Sequence, residues 1–250
     1  MEFDLLVLLA LAGVGMVAGF VDAIAGGGGL ISVPALLTTG LPPIGALATN
    51  KLQSCVGTAM AVRTYWRRGV ISFRAIWPAM LVGFCGSFAG ALAVKAIDTS
   101  VLMVLTPLAL IGIAIYFLFA PKLTDADRHA RLDAALFVPL MALVVGFYDG
   151  LFGPGTGSFL TIGFVALFGL GVTRAAGNTK AINLMTNLGA LVPFIWAGDV
   201  IWSAGVAMAA GQLVGGYLGA RTGIRFGARL IKPLVVAISV VLAIRLLLGG

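Results

Sequence analysis

Gly19-Phe20-Val21-Asp22-Ala23-Ile24-Ala25-Gly26-Gly27-Gly28-Gly29 ends one apolar segment with an acid and a run of four glycines. The pattern returns as Gly146-Phe147-Tyr148-Asp149-Gly150-Leu151-Phe152-Gly153-Pro154-Gly155-Thr156-Gly157, again after an apolar segment and before a short one. Asp22 and Asp149 stand 127 residues apart. Thr49-Asn50-Lys51 answers to Asn178-Thr179-Lys180 at an offset of 129, which also carries Gly69 to Gly198, Gly86 to Gly215 and Gly90-Ala91 to Gly219-Ala220. The two extra residues fall in the second glycine break, where the backbone tolerates insertion. A repeat this long is not a solenoid unit. It reads as the duplicated halves of a membrane protein.

Composition agrees. The chain is 60% hydrophobic and 10% charged over 250 residues, with a mean hydropathy of +1.11, whereas a soluble domain carries about 25% charge. One membrane domain spans 1–250, with repeat 1 over 4–120, a polar cytoplasmic linker over 121–133 and repeat 2 over 134–248. Glu2 and Asp4 precede the first apolar run, which therefore lacks the basic start of a signal peptide and reads as a retained span. The net charge of +7 does not imply nucleic acid, because the basic residues sit at segment ends, where they set topology and meet anionic headgroups. Cys55 and Cys85 lack metal-ligand spacing and read as buried small hydrophobes.

Apolar segments run over 5–25, 30–41, 44–66, 75–95 and 99–120, then 134–152, 158–170, 173–197, 200–220 and 230–248. Two are short. Twelve helical residues rise about 18 Å against a hydrocarbon core of about 30 Å; four extended glycines would add roughly 13 Å. Arg67, Arg68 and Arg74, then Lys122, Arg128 and Arg131, then Arg221, Arg225, Arg229 and Lys232 form basic clusters between segments. The positive-inside rule puts all three in the cytoplasm, which favours crossing by the short segments over the other possibility, a re-entrant hairpin. Five crossings per half give an all-α integral membrane protein of two inverted repeats with its N-terminus outside.

Four charges interrupt this placement: Asp22, Lys51, Asp149 and Lys180. A lysine at the centre of a membrane helix costs about 2.5–3.5 kcal/mol on insertion. Lys51, Ser54 and Thr58 share one helix face, and Lys180, Asn183 and Asn187 form the equivalent stripe. Beside each stripe a short helix begins within unwound backbone, at Gly28 and Gly29 or at Gly157, and such helix starts attract anions. The structural alternative joins Asp22 to Lys51 and Asp149 to Lys180 as ion pairs that pin helices together. Gly86, Gly90, Gly215 and Gly219 have the spacing of close helix packing.

At these residues the chain resembles the TauE/SafE family of sulfite and organosulfur anion exporters. Gly19-Phe20-Val21-Asp22 with the glycine run and Pro34, Ala48-Thr49-Asn50-Lys51, and their second copies carry the resemblance. It implies a multi-pass inner-membrane transporter of sulfite, sulfoacetate or related sulfonates. On this reading Lys51 and Lys180 hold a small anion near the midplane with Asn50, Ser54, Thr179, Asn183, Gly28, Gly29 and Gly157. Asp22 and Asp149 are the candidate proton carriers, since burial disfavours a charged carboxylate while a nearby lysine opposes that effect. The expected partners are the anion and the lipid bilayer, with a homo-oligomer open and no metal or cofactor called for. A channel is one rival. An intramembrane aspartyl protease is another, suggested by two buried acids, Tyr148-Asp149 and Pro34-Ala35-Leu36, but no Gly-x-Gly-Asp follows. His129 lies in the polar linker, out of reach of a buried serine, and Gly26–Gly29 lacks the Gly-Lys-Ser/Thr of a phosphate loop. The expectation is therefore a transporter and not an enzyme.

Overall fold

The computed structural model describes residues 3–94, 125–127, 129, 130, 133–231, 233, 234, 236, 237 and 240. Among these lie eight helices: α1 Leu5–Ala25, α2 Gly29–Thr38, α3 Pro43–Arg67, α4 Phe73–Ala93, α5 Ala134–Leu151, α6 Thr156–Ala166, α7 Val172–Trp196 and α8 Trp202–Phe226. The expected segment over 99–120 lies outside the described residues, and most of 230–248 does too. Three helices, α1, α4 and α5, are long and apolar enough to cross a membrane on length and composition alone. The 25-residue helices α3, α7 and α8 are longer still but bury polar residues. Large apolar side chains such as Leu5, Leu6, Leu9, Leu136, Leu140 and Val144 face outward, so the chain is an all-α membrane protein with hydrocarbon as its outer solvent.

Helix ends follow local chemistry. Asp4 caps α1 by accepting from the Leu5 amide at 2.7 Å, and Asp133 caps α5 by accepting from Ala135 at 2.9 Å. Pro43 opens α3 where its missing N–H costs nothing. Gly26 closes α1 at φ +79, a left-handed conformation that side chains resist. The expected run of four extended glycines is not found: Gly28 already has helical angles and Gly29 is the first residue of α2. Helical hydrogen bonding at the start of α2 satisfies backbone groups that an extended stretch would leave bare in hydrocarbon. Likewise α8 continues through Arg221 and Arg225 past the expected 220, because arginine is a good helix former and its head reaches water from a helix end.

The halves exchange helices. The most extensive packing is α1 on α8 and α4 on α5, so the fourth helix of each half lies along the first helix of the other. Glycines make these seams. A Cβ at Gly86 or Gly90 would strike the Leu143 or Phe147 carbonyl, and one at Gly215 or Gly219 would strike Met16 or Phe20. In register, these contacts make α1 parallel to α8 and α4 parallel to α5.

Core clusters fix the remaining directions. Leu11, Ala46 and Ala204 meet at one end of α1, α3 and α8, and Ala23, Tyr65 and Ala220 at the other. Thus α1, α3 and α8 run together. Helix α2 returns the chain, since Leu36 packs beside Leu11. Ala48 near the start of α3 and Cys55 at its middle pack with Ala190, Leu191 and Phe194 near the end of α7, whereas Tyr65 packs with Val172 and Ala176. These contacts make α3 and α7 antiparallel. Matched hydrogen bonds pin the two crossings: Thr49 Oγ1 accepts from the Ile201 amide at 3.0 Å, and Asn178 Oδ1 from the Ser72 amide at 3.4 Å. Each reaches across to the residue preceding the other half's fourth helix.

The directions gather Arg67, Arg68, Arg74, Arg174, Arg221 and Arg225 at one end, where Asp127 also pairs with Arg174 and Asp125 accepts from the Thr173 amide at 3.1 Å. Asp4 and Asp199 mark the other end.

Gly90→Ala and Gly219→Ala should each cost about 1–3 kcal/mol, because a backbone oxygen rather than a flexible side chain must yield. Gly13→Ala, which meets nothing within 4 Å, should leave stability equal or slightly higher. Thermal unfolding in detergent micelles reads the difference.

Candidate functional site

The two glycine breaks cross at the centre of the bundle. Gly26 lies so close to Gly157 that a Cβ on either would overlap the other's backbone. Ser158 locks the crossing by donating to the Ala25 carbonyl at 2.9 Å. Glycine is required here by contact distance as well as by φ.

The four intramembrane charges converge on this crossing. Lys51 Nζ lies 2.8 Å from Asp149 Oδ1, and Lys180 Nζ lies 2.8 Å from Asp22 Oδ2. The within-repeat pairing of Asp22 with Lys51 and Asp149 with Lys180 is therefore replaced by a crosswise one. The cause is the overlap of the breaks, which carries the end of each first helix past its own third helix to the third helix of the other half. The ammonium groups are 2% and 1% exposed, so each pair stands in low dielectric and depends on its partner.

The two pairs differ in their second contacts. Asp22 Oδ1 accepts from the Gly28 amide at 3.2 Å, whereas Asp149 Oδ1 accepts from the Thr156 hydroxyl at 2.7 Å. Asp149 is 2% exposed against 16% for Asp22. Asp149 Oδ2 makes no hydrogen bond among the described residues. A buried acceptor of this kind calls for a solute, a water or a proton.

A small polar space opens between the breaks, with room of about 20 Å³ for a water-sized centre, which accommodates about one water. Both halves line it. Of the residues singled out from sequence, Asp22, Gly29, Asn50, Lys51 and Ser54 face it from the first half, and Asp149, Gly157, Asn183 and Asn187 from the second. The lysine faces of α3 and α7 thus reach one place. Thr179 instead meets the Thr161 hydroxyl at 3.2 Å, Gly28 packs against the Asp22 side chain, and Lys180 reaches the space only through Asp22. Thr58 is buried away from it with its hydroxyl unbonded among the described residues. Cys55 is buried as expected, but Cys85 is exposed, because it lies on the outward face of α4 while Gly83, Gly86 and Gly90 face the core.

A polar relay beside the space had no place in the sequence reading. Ser32 Oγ donates to Asn50 Oδ1 at 2.5 Å, Gln53 Nε2 donates to the same oxygen at 2.7 Å, and Gln212 Nε2 donates to Gln53 Oε1. Its signal was available: Gln53 and Gln212 are uncharged polar residues inside apolar segments. Their repeat counterparts are Ile182 and Gly83, which pack without hydrogen bonds. The Ser32–Asn50 link has its counterpart in Thr161 and Thr179, whereas the extension through Gln53 to Gln212 has none.

Lys51→Met alone should destabilise by about 3–5 kcal/mol, since Asp149 then remains buried without a cation. Adding Asp149→Leu should recover most of the loss. Thermal unfolding of the singles and the double completes the cycle, and the corresponding cycle of Lys51→Met with Asp22→Leu should show weaker coupling.

The family model described as "Sulfite exporter TauE/SafE" matches residues 11–246. A "Probable membrane transporter protein ORF9" of Sinorhizobium is 43% identical over 99% of this chain and 94% of its own length. A "Probable membrane transporter protein" of Haemophilus influenzae is 43% identical over 96% and 94%, and the "Probable membrane transporter protein YfcA" of Escherichia coli K12 is 42% identical over 94% and 87%. No solved structure matches. With the match running from the middle of α1 to beyond α8 and taking in both glycine breaks, the chain belongs to the TauE/SafE sulfite exporter family.

Proposed function

We propose that this protein is a secondary transporter of small sulfur-containing anions such as sulfite, sulfoacetate or other sulfonates, working by alternating exposure of the space between the glycine breaks. The observation that carries the reading is the crosswise meeting of two buried lysine–aspartate pairs at that space, which Lys51 lines directly and Lys180 reaches through Asp22. The family description and the names of the relatives support transport. The antiparallel course of α3 and α7 and the gathering of arginines at one end support an inverted repeat with that end and the linker over 121–133 in the cytoplasm of an inner membrane.

Charge balance suggests how a proton takes part. The two lysines and two aspartates sum to zero, so an arriving anion leaves the dry site one unit negative. Protonation of Asp149 through its free Oδ2 restores neutrality and releases Lys51 to hold the anion, with Ser54, Asn183 and the first-turn amides of α2 and α6 as donors. Asp22, with both oxygens engaged, serves as the fixed partner of Lys180. The small volume of the space favours a carrier over a continuous pore. The proteolytic alternative fares worse, because each aspartate is held in an ion pair with a lysine.

Uptake of labelled sulfite or sulfoacetate into proteoliposomes should saturate with concentration and fall at least tenfold in Lys51→Ala and in Lys180→Ala. Unsaturated flux would turn the assignment to a channel, and undiminished flux in both variants would remove the anion site. An acid-outside pH gradient should speed uptake by the wild type and have no effect on Asp149→Asn, while Asp22→Asn should keep its response. Equal responses in all three would end the proton-coupling reading.

A further inference from the structure

A second cavity, of about 510 Å³, lies between the ends of α3 and α8, far from the paired lysines. Arg63 and Arg67 of α3, Arg68 just after it, and Arg221 and Arg225 of α8 line it, with no carboxylate among the described lining residues. Arg63 and Arg67 stand one turn apart, as do Arg221 and Arg225, so each helix presents a ridge of guanidinium groups to the other. Among the described residues none of the five is in an ion pair. Arg221 donates to the Tyr217 hydroxyl at 3.2 Å, and Arg225 lies 5.5 Å from the centre of the Phe226 ring. Five like charges around one cavity repel one another unless an anion sits among them. Guanidinium forks match phosphate oxygens in particular.

An apolar groove of about 480 Å³ adjoins this cavity, and Arg63 lines both. Val56, Ala59 and Met60 of α3 form one wall, with Leu184 and Leu188 of α7 and Leu213 of α8 opposite. From Arg63 back to Val56 the groove descends about 10 Å along α3 toward the middle of the bundle. A free inorganic anion has no use for such a groove. A molecule with a phosphate at one end and hydrocarbon at the other fits both parts at once. Trp66 and Trp77 are exposed near the same end, as side chains at a membrane boundary commonly are.

We propose that these two cavities form a single site for an anionic phospholipid, with its phosphate among the five arginines and one acyl chain in the groove beside α7. The site bridges the halves, because α3 belongs to the first and α7 and α8 to the second, so an occupying lipid ties them together at one face of the bilayer.

The full-length protein, purified in a neutral detergent, should rise in melting temperature by roughly 5–10 °C with phosphatidylglycerol at a hundredfold excess over its Kd. Phosphatidylcholine with the same chains and inorganic phosphate at matched concentration should each give less than a quarter of that shift. Arg67→Gln/Arg221→Gln should lose the phosphatidylglycerol shift, and Leu188→Trp, which fills the groove, should lose it too. Native mass spectrometry of the wild type keeps the proposal open to refutation if a variant does not fold: phosphatidylglycerol should stay bound at collision energies that strip phosphatidylcholine. Equal shifts from the two lipids would overturn it as general lipid solvation. A full shift from phosphate alone would overturn it in favour of a free-anion site. Retention of the shift in a folded double variant, or equal stripping of the two lipids, would overturn it as well.

Discussion

Two lysine–aspartate contacts, each spanning the halves of the chain, set the terms for the rest of the molecule. Removing four charges from water is costly, and mutual attraction offsets that cost only when geometry is good and the remaining hydrogen-bonding capacity is met. The glycine breaks make such geometry available. With no Cβ at Gly26 or Gly157, the two chain reversals overlap closely enough for each aspartate to reach the lysine of the opposite half. Gly153 contributes similarly, since a Cβ there would lie 2.8 Å from Lys51 Nζ. The helix seams serve the same end: glycines against the Leu143, Phe147, Met16 and Phe20 carbonyls draw the outer helices in and hold the crossing shut.

The centre is symmetric in plan and unequal in detail. Thr156 supplies a hydroxyl to Asp149 where Gly28 supplies an amide to Asp22, and the linked Gln53 and Gln212 answer to Ile182 and Gly83, which form no such link. The two acids of the site thus differ in exposure and in hydrogen bonding, a common way for paired carboxylates to take on different tasks.

Much of this architecture was legible in the sequence. Apolar segments located the described helices closely, apart from the C-terminal end of α8, because in hydrocarbon the apolar run and the helix nearly coincide. Misplaced charges located the centre, since an ionisable group inside a membrane needs a reason. Pairing was not legible. An offset of 129 identifies Lys51 with Lys180 as equivalents, but says nothing about which aspartate each meets; that depends on how the breaks pass one another. The glycine run misled for a related reason, since Gly28 and Gly29 accept helical angles as readily as extended ones. Thr49 and Asn178 look like members of a binding motif, yet they hold the Ile201 and Ser72 amides.

The two ends of the molecule differ more than its middle does. Where α3 finishes with Arg67, its counterpart α7 finishes with Trp196; where α8 carries Arg221, α4 carries Leu92. Matching positions thus became cationic on one side and greasy on the other, while the interior kept its common plan. A core with near twofold symmetry would insert into a bilayer either way up at little difference in energy. Surface differences of this kind remove that degeneracy, because the two faces of the molecule then meet headgroups and water with unlike chemistry.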